Sequence, residues 1–152
     1  MSIKEILQTD VKTINESATV GEAAKFFIDV GMNNAMVCNE KHEFIGILSQ
    51  RDLLLSAMPD VEEVYHSHVG YQGLNLHFLK SAREKINSSI KYCIVREPYT
   101  LLPDDTIVKA VTIMINNNIT SVPVVENKKL LGIITQIKIM ELFTIPDLLN
   151  LE

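Results

Sequence analysis

Ser49-Gln50-Arg51-Asp52 sets a hydroxyl and a carboxylate three residues apart, just after the apolar run Phe44–Leu48. At a helix start, that spacing brings both side chains to one side of the first turn. A carboxylate there accepts two hydrogen bonds at once, and the backbone N–H groups of a first turn favour anions. Thr135-Gln136-Ile137-Lys138 repeats the first two positions but ends on Lys. An ammonium has three donors and no acceptor, so it cannot do the work of Asp52. Other reactive types are scattered. Ser49 has no histidine beside it, and Cys38 sits between Val37 and Asn39 in an apolar strand pattern. Asp104-Asp105 reads as a solvated turn before a helix, and neither GxxxxGK[ST] nor GxGxxG occurs. No catalytic residue is assigned, and the chain is not expected to be an enzyme. His66, His68 and His77 could offer nitrogen ligands beside Glu62 and Glu63, but no second tight pair completes a metal set. They read better as surface or lid residues able to meet a phosphate when protonated.

Composition narrows the class. The chain has 152 residues, 47% apolar and 22% charged, with a formal net charge of −5. Those proportions suit a globular domain and exclude a disordered tail. Without a basic block, binding to DNA through its phosphates is not expected. The uncharged stretch Ala110–Val125 carries three consecutive asparagines and Pro123, which no membrane-spanning helix would hold so densely. Met1–Glu5 lacks the basic-then-apolar pattern of a signal peptide. A cytoplasmic protein with no membrane contact is expected. Cys38 and Cys93 are too few for a disulfide framework and read as buried reduced thiols.

The chain repeats itself. Thr13, Thr19, Ala23 and Val37 recur as Thr100, Thr106, Ala110 and Val124, each 87 residues on. After one deletion, Gly46-Ile47 and Ser49-Gln50 recur as Gly132-Ile133 and Thr135-Gln136. Each copy opens with an extended piece, Val11–Ile14 or Tyr99–Leu102. Thr19, with Glu22 in a capping box, starts a helix that Gly31 ends; Thr106 and Asn118 do the same in copy two. Two strands follow, 35–39 and 44–49, then 122–126 and 130–135, joined by polar turns. Second helices begin at Gln50 and Gln136. The fold class is α/β (α+β): two β-α-β-β-α repeats packed as a pseudo-twofold pair. Neither copy of about 50 residues can bury its apolar face alone.

These residues resemble the cystathionine-β-synthase-type (CBS) domain. The resemblance rests on Thr13, Thr19, Ala23, Gly31-Met32, Val37 and Gly46-Ile47-Leu48-Ser49-Gln50-Arg51-Asp52. In copy two it rests on Ile119-Thr120-Ser121-Val122-Pro123-Val124 and Leu131-Gly132-Ile133-Ile134-Thr135-Gln136. Two such domains form a pair, or Bateman module. The resemblance implies regulatory binding of AMP, ADP, ATP or S-adenosylmethionine in clefts between the domains, with no cofactor required. It implies that Asp52 holds both ribose hydroxyls and that Ser49 sits near ribose or phosphate. Val11, Thr13, Asn34 and Met36 are placed around the base; on the second side Thr100, Ser121 and Pro123 match Thr13, Asn34 and Met36, and Thr135 and Lys138 match Ser49 and Asp52. Arg51, Lys138 or a linker histidine would face phosphates. Lys138 makes a phosphate contact or an empty second position a better fit than an ordinary nucleoside pose.

Along the chain, residues 1–57 read as a first domain, 58–85 as a linker with a helix from Leu76 to about Ser88, and 86–152 as a second domain. That second domain ends in an apolar tail with Leu148, Leu149 and Leu151, expected to dock on the chain or on a partner. The expected function is a stand-alone sensor that signals to a separate effector protein, as a homodimer of the kind the resemblance implies. The rival is a ligand-free assembly module acting through dimerisation.

Overall fold

The structure is a computed structural model that describes residues 1–60, Glu62, His66 and residues 70–146. The elements are β1 (Thr13–Asn15), α1 (Val20–Val30), β2 (Asn34–Cys38), β3 (Phe44–Ser49), α2 (Gln50–Ala57), α3 (Tyr71–Lys85), α4 (Ile107–Asn117), β4 (Ser121–Glu126), β5 (Lys129–Thr135) and α5 (Gln136–Glu141). Short 3-10 turns occupy Ile3–Glu5, Ile90–Tyr92 and Leu142–Thr144.

Capping residues set the helix limits. Thr19 Oγ1 accepts from Glu22 N at 3.2 Å, and the Glu22 carboxylate accepts from Thr19 N at 2.9 Å, so two orphan donors are satisfied reciprocally. Gly31 ends α1 at φ +70°, a conformation that costs glycine little. Thr106 caps α4 by accepting from Lys109 N at 3.2 Å, and Asn118 ends it at φ 51°. α1 buries Val20, Ala23 and Phe27, and α4 buries Ala110 and Met114. The expected helix starts at Gln50 and Gln136 are observed. The linker helix begins five residues before Leu76, because the Gly70 carbonyl accepts from Gly73 N and Leu74 N and closes the first turn there. It stops at Lys85, where the carbonyl accepts from Ser88 N. Docking of the apolar tail at Leu148, Leu149 and Leu151 lies outside the described residues.

The chain divides into two compact units. One gathers Met1–Lys12, Lys41–Phe44 and Glu97–Glu152; the other gathers Thr13–Glu40 and Ile45–Arg96. In the latter, strands run in the order β1-β2-β3, with β1 parallel to β2 and Ile14 opposite Val37. In the former, β4 and β5 pair antiparallel, Val122 opposite Ile134. The extended piece expected at Tyr99–Leu102 forms no strand. It keeps a single parallel bridge, Leu101 to Val124.

A division at residues 57 and 86 follows the order of the chain, whereas the packing crosses it. Ile3 N donates to Asp105 O at 3.1 Å, and Gln8 exchanges two bonds of 3.0 Å with Ile133. Ile3 and Ile6 are buried with Leu101, Ala110, Val122 and Ile134. The same contacts recur in the other unit. Ile90 N donates to Ala18 O at 3.1 Å, and Val95 exchanges bonds of 2.9 and 3.0 Å with Ile47. Ile90 and Ile94 are buried with Ile14, Ala23 and Val37. Each repeat therefore lends its leading segment to the core of the other. The repeat itself begins earlier than Val11 and Pro98, at Ile3 and Ile90.

Two glycines make that exchange possible. A Cβ on Gly46 would stand 2.3 Å from Val95 O, and one on Gly132 would stand 2.3 Å from Gln8 O. Gly46→Ala and Gly132→Ala should each cost about 2–3 kcal/mol, because a backbone segment must move. Gly31→Ala meets no atom within 4 Å and should cost about 1 kcal/mol from its positive φ alone. Urea denaturation of the three variants measures the order, and equal losses would contradict it.

Candidate functional site

Ser49 ends β3 and caps α2. Its Oγ accepts from Asp52 N at 3.0 Å, with Ser49 in the extended conformation typical of an N-cap. That bond uses the oxygen as acceptor and leaves the hydroxyl proton to donate elsewhere. Asp52 is half-buried in the first turn of α2, and no donor among the described residues meets its carboxylate. A partly buried carboxylate at a helix N-terminus with its acceptor sites open can receive a pair of hydroxyls. Arg51 is exposed in the same turn, outside any ion pair among the described residues.

Of the residues placed around a base, Thr13 and Met36 stand opposite each other on β1 and β2. Ala35 and Val37 point into the core, so alternation turns Met36 to the other face of β2, where it is 1% exposed. Thr13 is exposed and hydrogen-bonds the Cys38 thiol. Burial pushes that thiol above the ordinary cysteine range, and the Thr13 bond partly offsets the rise. Asn34 opens β2, half-buried and hydrogen-bonded or otherwise engaged. Val11 falls in the other unit, half-buried in a tight turn closed onto the Thr9 carbonyl.

The second repeat reproduces the scaffold with a different charge. Thr135 caps α5 by accepting from Lys138 N at 3.1 Å. Ser121 is buried, and pairs with Thr135 across β4 and β5. Pro123 is fully buried, and its carbonyl accepts from Leu101 N at 2.9 Å. Thr100 is exposed beside that bridge. Lys138, in the Asp52 position, pairs with Glu141 on its own helix at 2.8 Å. Both partners are well exposed, so the pair contributes at most about 1 kcal/mol and leaves the ammonium available.

A positioning element escaped the motif reading. Gln50 Nε2 donates to Met32 O at 2.8 Å, while Gln50 N donates to Asn33 O at 3.0 Å. Gln136 repeats both bonds, at 3.4 Å to Ile119 O and 3.0 Å to Thr120 O. These bonds tie the start of the second helix to the segment that follows the first. Gln50 and Gln136 recur in the repeat, which is the signal that could have found them. His66 is exposed and His77 half-buried on α3, whereas His68 lies outside the described residues. Among the described residues, no group of three or more His, Cys, Asp or Glu side chains could hold a metal ion. No described helix is long and apolar enough to cross a membrane.

Ser49→Ala should cost about 1 kcal/mol through loss of the cap. Asp52→Asn should cost less than about 1 kcal/mol, since only a helix-dipole contribution is lost. Thermal melting of both variants decides whether Asp52 is free of a structural role; a larger loss for Asp52→Asn would contradict it.

Comparison with known proteins agrees with this architecture. The family model described as CBS domain matches residues 3–58 and 90–144. Protein MJ1225 of Methanocaldococcus jannaschii is 22% identical over 92% of this chain, and the chain spans 42% of that relative's length. The MJ1225 crystal structure superposes with a TM-score of 0.75 at 22% identity, over 93% of this chain and 47% of that one. CBSX2, solved in complex with AMP, has a TM-score of 0.69 at 14% identity, over 94% and 96% of the two chains. The CBS domain pair of protein MJ0100, solved with 5′-methylthioadenosine and S-adenosyl-L-methionine, has a TM-score of 0.66 at 22% identity, over 95% and 96%. With two matched regions that begin at Ile3 and Ile90, where the structural repeat begins, the chain belongs to the CBS domain family as a tandem pair.

Proposed function

We propose that the protein is a regulatory module that binds an adenosine-containing ligand, AMP, ADP, ATP or S-adenosylmethionine, and does not catalyse a reaction. The observation that carries this reading is the open carboxylate of Asp52 at the start of α2, beside the Ser49 hydroxyl. Asp52 accepts from both ribose hydroxyls, and Ser49 donates to the ribose or phosphate. Thr13, Asn34 and Met36 lie near the base, with Arg51 available to phosphates. The adenosine compounds bound to CBSX2 and to the MJ0100 pair support the ligand class. Ligand binding shifts the protein between conformations by its differential affinity for them, and a separate effector protein reads the shift. The cytoplasm supplies every one of these ligands.

One observation favours a second reading, assembly through dimerisation. Val108 and Ile115 on α4 are 73% and 71% exposed. Such apolar faces mark interfaces between proteins. A homodimer is compatible with the sensor; a dimer that binds no nucleotide is the rival.

Thermal-shift and calorimetric titration of the intact chain with AMP, ADP, ATP and S-adenosylmethionine separates the two. A bound compound at a hundred times its dissociation constant adds about 2.7 kcal/mol of stability. Asp52→Ala should remove that gain while leaving the unliganded protein folded. Unchanged affinity in Asp52→Ala would overturn the ribose assignment, and a dimer inert to the whole panel would favour assembly.

A further inference from the structure

Both repeats leave an apolar furrow between their first and second helices. Ala24, Ile28, Leu53 and Leu54 line one, and the matching residues Val111, Ile115, Ile139 and Met140 line the other. The second furrow encloses about 200 Å³. The first encloses about 620 Å³, because α3 adds Phe78, Leu79 and Ala82 as a third wall. That volume is typical of small-molecule sites, which span roughly 300–1,000 Å³. The end beside Gly21 is shut: Gly21 N donates to Ile86 O at 2.8 Å, and a Cβ on Gly21 would stand 2.6 Å from Ile86 Cγ1. The α3 helix lies outside both regions that match the CBS domain, so this wall is an addition to the repeat.

Charge sets the groove apart as well. Lys25 on α1 and Arg83 on α3 are its two charged lining residues, and no Asp or Glu lines it. Neither cation forms an ion pair among the described residues. The matching position to Lys25 in the other repeat is Thr112, so the charge is as specific to this furrow as its third wall. Two unpaired cations beside an apolar trough are complementary to an apolar chain that ends in an anion.

We propose that this groove binds a single-chain amphiphile of the fatty-acid class. Its alkyl chain lies against Ile28, Leu53, Leu54 and Leu79, and its carboxylate is met by Lys25 and Arg83. The site is separate from Ser49 and Asp52 and stands independently of the adenosine reading. The probe is decanoate below its micellar concentration, titrated calorimetrically into the intact chain, with 1-decanol as the uncharged equivalent. Saturable binding of one decanoate per chain is expected, at least tenfold tighter than 1-decanol. Lys25→Ala combined with Arg83→Ala should remove that preference, and because both side chains are exposed the variant should melt with the parent. Leu54→Glu should weaken decanoate at least tenfold. No saturable binding, or equal affinity for 1-decanol, would overturn the proposal. So would a dimer that Leu54→Glu dissociates and decanoate leaves intact, since a second copy would then occupy the groove.

Discussion

The structure depends on a reciprocal exchange of leading segments. Residues 1–12 complete the core around α4 and β5, and residues 86–96 complete the core around α1 and β3. Removing either leader would take away buried isoleucines, Ile3 and Ile6 or Ile90 and Ile94, and uncover the core residues packed against them, Leu101 and Ile134 on one side or Ile14 and Val37 on the other. It would also leave strand N–H groups without partners at Ile133 or Ile47. Neither repeat alone supplies all the residues of one core, so each compact unit draws on both repeats. Gly46 and Gly132 are the narrowest points of this arrangement, because only a residue without a side chain lets the leader's carbonyl approach the strand.

The candidate site inherits its geometry from that scaffold. β3 carries Gly46 at its centre and Ser49 at its end, so the strand that receives the exchanged leader also delivers the cap of α2. Gln50 then ties α2 back to Met32 and Asn33. Asp52 is thus held at a fixed point on a rigid element while its own carboxylate remains uncommitted. A carboxylate that contributes little to the fold yet is placed by several bonded neighbours is arranged for a ligand. The second repeat keeps the cap and the glutamine tie but substitutes an ammonium, so its chemistry departs while its geometry persists.

Much of the fold was legible because local signals and spacing agree. Thr19 with Glu22, Gly31, Thr106 and Asn118 are capping residues whose role follows from their own backbone and side-chain chemistry. The helix starts at Gln50 and Gln136 follow from Ser49 and Thr135 in the same way. The exchange of leaders was not legible, because it depends on contacts such as Gln8 with Ile133 that lie far apart in sequence and leave no periodic trace. The short strand expected at Tyr99–Leu102 failed for a related reason: extended residues become a strand only where a neighbour offers more than one bridge. At the site, residue types and spacing exposed Ser49 and Asp52, whereas the tie made by Gln50 uses backbone carbonyls that every residue possesses.

The ribose contact at Asp52 is tested most directly by removing one hydroxyl from the ligand. Calorimetric titration would compare AMP, ADP and ATP with their 2′-deoxy counterparts, alongside S-adenosylmethionine. A carboxylate that accepts from both hydroxyls predicts that a bound ribonucleotide loses about tenfold or more in affinity on deoxygenation, the scale of one charge-assisted hydrogen bond. Equal affinity for a nucleotide and its 2′-deoxy form, or a panel in which nothing binds, would contradict the account.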